Sequence, residues 1–199
     1  MKDLPVTALG GRLPFVGVGG FTIGGGISYL MNHHGLASDS IIDAQVVLAD
    51  GSIKWAKDDA DLMWAIRGAG YTVGGITYCC FYPQFLLIDY CLVVTELIVK
   101  AYPKPTEIFA GFVVYPIDKL ESIKQSVANF TKTNTDPNLS LLLAVVPFNG
   151  DPVVLVNPIV FGTESFAKSA LPWVWGPGSV MDTTTPLSWE QLQDMQCKF

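Results

Sequence analysis

Six of the ten residues in GVGGFTIGGG, positions 17–26, are glycine. That density disfavours a long regular helix or strand, because each glycine in an element's interior costs about 0.5–1 kcal/mol relative to alanine. It favours a loop that can take positive φ and bring its amides close to a ligand with no Cβ in the way. Inward-pointing amides of this kind suit a phosphate or diphosphate. The run is not a P-loop, since no Lys-Ser or Lys-Thr follows it. It is a poor dinucleotide fingerprint as well. Thr22 stands where the third glycine belongs, and no clear strand leads into Gly17. From the pattern alone, a structural loop and a nucleotide site both stand.

The flanks read as ordinary α+β protein. ISYLMNHH (27–34) predicts about two helical turns closed by Gly35, with GLASDS as a turn after it. IIDAQVVLADGSIKWA (41–56) predicts a hairpin turning at Asp50-Gly51, with Ile42, Ala44, Val46 and Leu48 on one face. DDADLMWAIRGAG (58–70) predicts a short helix capped by Asp58 or Asp59, with Leu62, Ala65 and Ile66 inward and Gly68 at its end. A strand over 93–102 runs into Pro103 and Pro105, which mark a boundary between two parts of the chain.

Beyond that boundary, IFAGFVVYP (108–116) predicts one strand. The segment around Leu120, Ile123, Val127 and Phe130 predicts an amphipathic helix. Residues 139–162 predict two strands around Asn149-Gly150-Asp151, and SFAKSALPWVW a helix stopped by Pro172. The tail, residues 176–199, is rich in Thr, Pro and Gln.

Charge and composition narrow the function classes. Net charge is −6, and phosphate-backbone binding needs clustered Lys and Arg, so no nucleic-acid partner is expected. Half the residues are hydrophobic and 15% are charged, the reverse of a disordered composition. Gly68 to Ile88 carries no charge, but Gly68, Gly70, Gly74, Gly75 and Pro83 interrupt it, so no membrane span is expected. Cys79, Cys80, Cys91 and Cys197 form no CxxC pair, which leaves zinc and thioredoxin-like readings without support. Met1-Lys2-Asp3-Leu4-Pro5 lacks the apolar stretch of a signal peptide.

Other chemical signals are weak. No GxSxG is present, which leaves a serine-hydrolase elbow unsupported. His33-His34 with Asp39 offers metal-ligand types, but neighbouring histidines at a helix end read as solvated surface, so no metal is expected. Asp58, Asp59 and Asp61 are explained by the helix start they occupy.

Taken in order, the glycine run, HGLASD, VVLADG and DLMWAIRGAG resemble the second half of the PCMH-type FAD-binding domain of flavin-linked oxidoreductases. These are the berberine-bridge-enzyme-like group of the vanillyl-alcohol-oxidase family, and the chain resembles its fungal, secondary-metabolism members. VVTELIVKAYPKPTE is similar to the end of that domain, and DTTTPLSWEQLQDMQ is more distantly similar to the substrate domain. The resemblance implies α+β architecture: a partial FAD-binding domain over 1–104, then the start of an antiparallel-sheet substrate domain over 105–199. It implies FAD as cofactor and a small organic molecule as substrate. The flavin's diphosphate and ribose would lie against Gly17, Val18, Gly19, Gly20, Thr22, Gly24, Gly25 and Gly26, with Ile42 where the chain passes the adenine. Asp39 would hold its turn, and Trp64 would fill the core.

The resemblance begins past the family's Arg-x-Gly-Gly-His loop and its flavin-linking histidine. Leu13-Pro14 stands where some members carry a linking Cys-Pro. No covalent or tightly held flavin is therefore expected, and no catalytic residue is assigned. Full-length relatives are often secreted. Without the earlier subdomain, Ile42, Val46 and Leu48 are expected to lie open and to promote association. Residues 75–92 interrupt the family pattern with 18 residues, or 54 nucleotides, holding three of the four cysteines. They read as an insertion or an unspliced intron, because GGT for Gly75 and CTA for Leu92 would supply the splice ends. The alternatives to an oxidoreductase are a non-catalytic, truncated or mis-spliced family product, and a small protein using the glycine loop for another nucleotide.

Overall fold

The computed structural model describes residues 4–70, 74–75 and 92–195. Most of the 75–92 segment, and all four cysteines, lie outside the described residues. The chain divides into two compact units, Met1–Lys104 and Pro105–Phe199. Both mix helices with largely antiparallel sheet.

The first unit is built on a four-stranded sheet in the order β3-β2-β5-β4, with β2 Ile41–Val47, β3 Ile53–Trp55, β4 Gly74–Gly75 and β5 Leu92–Val99. A two-stranded ribbon pairs β1 Val6–Thr7 with β6 Tyr102–Pro103. The β2–β3 hairpin turns at Gly51, whose φ of +80° only glycine takes freely. Its expected face alternation fails at the first residue. Ile41 pairs with Val99 and Asp43 with Ile98, so Ile42 is the extra residue of a bulge. The bulge turns Ile42 outward, 50% exposed, while Val46 is fully buried and Leu48 packs against the core. The expected open face thus reduces to Ile42.

Helix α3, Ala60–Ile66, starts where Asp59 accepts the Leu62 amide at 3.1 Å, the expected cap. Leu62 and Ile66 face the sheet as expected. Trp64 does not fill the core. It is 75% exposed, because the inward stripe of so short a helix is taken up by Leu62 and Ile66. Helix α2 covers Met31–His34, half the expected length. Gly35 follows it at φ +77°, as expected.

In the second unit the long hairpin β9 Leu139–Phe148 and β10 Asp151–Val160 turns through Asn149 (φ 52°) and Gly150 (φ 95°). The other edge of β10 pairs with β7 Phe109–Ala110 and β8 Val113–Pro116. The single strand expected over 108–116 is therefore broken at Gly111-Phe112. The tail forms β11 Met181–Asp182 on β8, β12 Thr185–Pro186 on β7, and helix α6 Trp189–Met195. The apolar stripe of α4 Leu120–Thr133, together with α5 Glu164–Ala170, packs on the sheet through Ile123, Ala167, Val154 and Val156. Among the described residues no helix is long and apolar enough to cross a membrane.

Candidate functional site

The glycine run is not one loop. Residues Val18–Ile23 wind into the short helix α1 with Gly17 as N-cap. Thr22 explains part of this: it is buried, and its hydroxyl donates to the Val18 carbonyl at 2.8 Å, one turn back. Thr22 therefore braces the helix from within. The C-terminal end of α1 is anchored. Ile23 lies in the core, and its carbonyl accepts the Gly68 amide at 3.0 Å. The carbonyls of Gly25 and Gly26 accept the amides of Ser38 and Ala37 at 2.8 and 2.9 Å. Gly25 and Gly26 take φ of +105° and +77°, so these two glycines are demanded by the backbone. Asp39 holds the same turn as expected, its carboxylate accepting the Leu36 amide at 2.8 Å.

The N-terminal end is open. The amides of Val18, Gly19 and Gly20 have no carbonyl one turn back, and Gly17 offers no side-chain cap. A Cβ on Gly17 or Gly20 would meet nothing within 4 Å, and no acidic residue occupies the first turn. Three amides without helical partners and with no competing carboxylate are donors suited to a diphosphate. The residues present thus fit the polar bridge of a dinucleotide such as FAD.

The other residues singled out by sequence are placed differently. Ile42 stands at the β2 bulge, while its neighbour Ile41 is buried in the same cluster as Ile23. The Ile41 carbonyl accepts from the Arg67 guanidinium at 2.6 Å. Arg67 belongs to the quoted RGAG stretch, yet nothing local to it announces a partner 26 residues upstream. His34 is not simply solvated surface. Its ring stacks on Tyr102 with centroids 3.9 Å apart, and burial and the neighbouring His33 push its pKa down. Among the described residues no group of three or more His, Cys, Asp or Glu side chains could hold a metal.

The second unit holds a cavity of about 320 Å³ at the break between β7 and β8. Ala110, Gly111 and Phe112 line one wall. Thr183, Thr185, Leu187, Gln191 and Met195 line the other. The break is well braced. Gly111 has φ 154°, its carbonyl accepts from the fully buried Asn157 at 2.6 Å, and the Phe112 amide donates to the Thr183 hydroxyl at 2.9 Å. A Cβ on Gly111 would lie 2.5 Å from the Thr184 Cα, so only glycine allows the two strands to close here. Sequence reasoning missed this cavity, since its walls come from segments about 70 residues apart.

No protein-family model matches the chain. The FAD-linked oxidoreductase pgmH of Aspergillus terreus is 32% identical over 192 residues, covering 89% of this chain and 35% of that protein. The (R)-6-hydroxynicotine oxidase of Paenarthrobacter nicotinovorans is 28% identical, covering 94% of this chain and 38% of the oxidase. The chain belongs with the FAD-linked oxidoreductases. Solved structures share its fold. The 6-hydroxy-D-nicotine oxidase of Arthrobacter nicotinovorans superposes with a TM-score of 0.78 over 98% of the chain at 24% identity, covering 40% of the oxidase. The berberine-bridge-enzyme-like protein 1 of Physcomitrella patens gives 0.79 over the whole chain at 21% identity, covering 39% of that protein. The chain thus spans well under half the length of each relative.

Proposed function

We propose that this chain is part of an FAD-dependent oxidoreductase acting on a small organic molecule. Residues 1–104 would bind the dinucleotide side of the flavin, and residues 105–199 would bind the substrate. The observation that carries the reading is the set of amides at Val18, Gly19 and Gly20 without helical partners, with room for a Cβ at Gly17 and Gly20. In this reading Gly25, Gly26 and Thr22 hold that amide set in place, and Gly24 ends the helix. A bound flavin would supply the two-electron acceptor, and the protein supplies binding and orientation. The homology to FAD-linked oxidoreductases supports the same assignment.

The test is a titration of the full chain with FAD, ADP and riboflavin, followed through backbone amide shifts. FAD and ADP are expected to compete and to move the amides of Val18, Gly19 and Gly20. Riboflavin, which lacks the diphosphate, should leave them in place. Gly20→Asp, which puts a carboxylate beside these donors, should abolish the FAD response with an unchanged melt. An FAD response that spares these three amides, or no response to FAD at all, would overturn the assignment.

A further inference from the structure

The cavity of the second unit has walls that select the chemistry of its occupant. None of its lining residues carries a charge, and Ala110, Phe112, Leu187 and Met195 give it an apolar body. Ala110, Gly111, Phe112 and Met195 form a buried floor, while Thr183, Thr185 and Gln191 stand exposed at the rim, so the floor favours apolar matter and the lining offers an ion no counter-charge. Of the polar groups present, the Thr183 hydroxyl is committed to the Phe112 backbone. Gln191 is half committed. Its Oε1 accepts the Ser188 amide at 2.8 Å, while the Gln191 backbone amide donates to the Ser188 hydroxyl at 3.2 Å. This reciprocal cap on α6 fixes which end of the Gln191 amide group is occupied. The Nε2 end has no hydrogen-bond partner among the described residues, and neither does the Thr185 hydroxyl.

The geometry points to a site for a neutral ring compound carrying one hydrogen-bond-accepting oxygen, a ketone or ether, that the Gln191 Nε2 donates to. We infer that this is the substrate class of the second unit, and the inference rests on the reading of residues 105–199 as the substrate part. A volume of about 320 Å³ lies at the small end of ligand pockets, which suits a molecule of one or two rings. The site sits on rigid elements. Asn157, on the central strand, and Thr183, on the edge, pin the two sides of the break from opposite directions. Breaks of this kind in a sheet commonly re-aim side chains beside binding sites.

The test uses the full chain without flavin and four two-ring probes of similar size: 1-tetralone, tetralin, which lacks the oxygen, and two charged analogues, 1-naphthoate and 1-naphthylammonium. Binding is read from amide shifts at Gly111 and Leu187. Tetralone should bind at least tenfold more tightly than tetralin, and neither charged probe should bind. Gln191→Glu keeps an oxygen to cap Ser188 but removes the donor, so tetralone binding should fall at least tenfold with an unchanged melt. Leu187→Trp fills the space and should remove tetralone and tetralin alike. The inference is overturned if tetralone does not bind, if tetralin or a charged probe binds as well as tetralone, or if Gln191→Glu leaves tetralone binding unchanged. Because no flavin is present, failure here is separate from failure of the FAD titration, which reads amides in the other unit.

Discussion

Two glycines of the same run are expected to respond to alanine with opposite sign. At Gly26, φ is +77°, and a Cβ would lie 2.7 Å from both the Ala37 Cβ and the Phe21 ring, and 2.8 Å from the Phe21 carbonyl. The left-handed backbone costs a non-glycine residue about 1–2 kcal/mol. Forcing the Cβ into packed neighbours adds about 1–3 kcal/mol. The stiffer unfolded chain returns only about 0.4–1 kcal/mol. Gly26→Ala should therefore destabilise by roughly 1–5 kcal/mol, a large fraction of a typical domain's 5–15 kcal/mol. At Gly20 the backbone is helical and the Cβ position is open. Gly20→Ala should stabilise by about 0.5 kcal/mol, the low end of the helix-propensity gain near a terminus. Urea unfolding followed by circular dichroism measures both, with the slope checked for constancy. Equal effects at the two positions, or a Gly26→Ala chain within about 0.5 kcal/mol of the parent, would refute the division of the run into an anchored end and an open end.

Three further outcomes are expected. Asp43 is buried in β2, where its carboxylate accepts the amides of Ala44 and Lys57 at 2.8 and 3.0 Å; Asp43→Ala strands both donors and should cost about 2–4 kcal/mol in the same urea assay. Tyr115 donates to the Val174 carbonyl at 2.8 Å, and burial raises its pKa above the usual 10, so the fold favours the neutral phenol. Stability from this group is full below pH 10 and is lost as pH climbs from there through the folded-state value, so Tyr115→Phe should lessen the alkaline sensitivity of the melt; an identical alkaline limb in both chains would contradict this. Reverse-transcription sequencing across the codons for 75–92 should find transcripts lacking 54 nucleotides, and uniform retention of all of them would dispose of the intron reading.

Local chemistry carried much of the fold. Gly51 and the Asn149-Gly150 pair mark hairpins because their backbones need positive φ. Asp59 and Asp39 sit where a short carboxylate reaches an amide three residues away, and both do so. The stripe through Leu120, Ile123, Val127 and Phe130 is a helix face because its spacing matches 3.6 residues per turn. The glycine run, with its neighbours in order, was also enough to read the family resemblance.

What the sequence left undecided depends on partners far along the chain. Ile42 faces outward because β2 meets β5 with one residue to spare, and a one-residue offset reverses the side-chain alternation. Trp64 is outside because two neighbours on its own short helix occupy the contact with the sheet. The open end of α1 exists because Gly68, Ala37 and Ser38 hold its other end. The second-unit cavity exists because Thr183 meets Phe112 across 71 residues and Gly111 has no Cβ to keep them apart. A residue's own neighbours set its backbone preferences, but register, burial and the empty space between strands are set by what arrives from elsewhere in the chain.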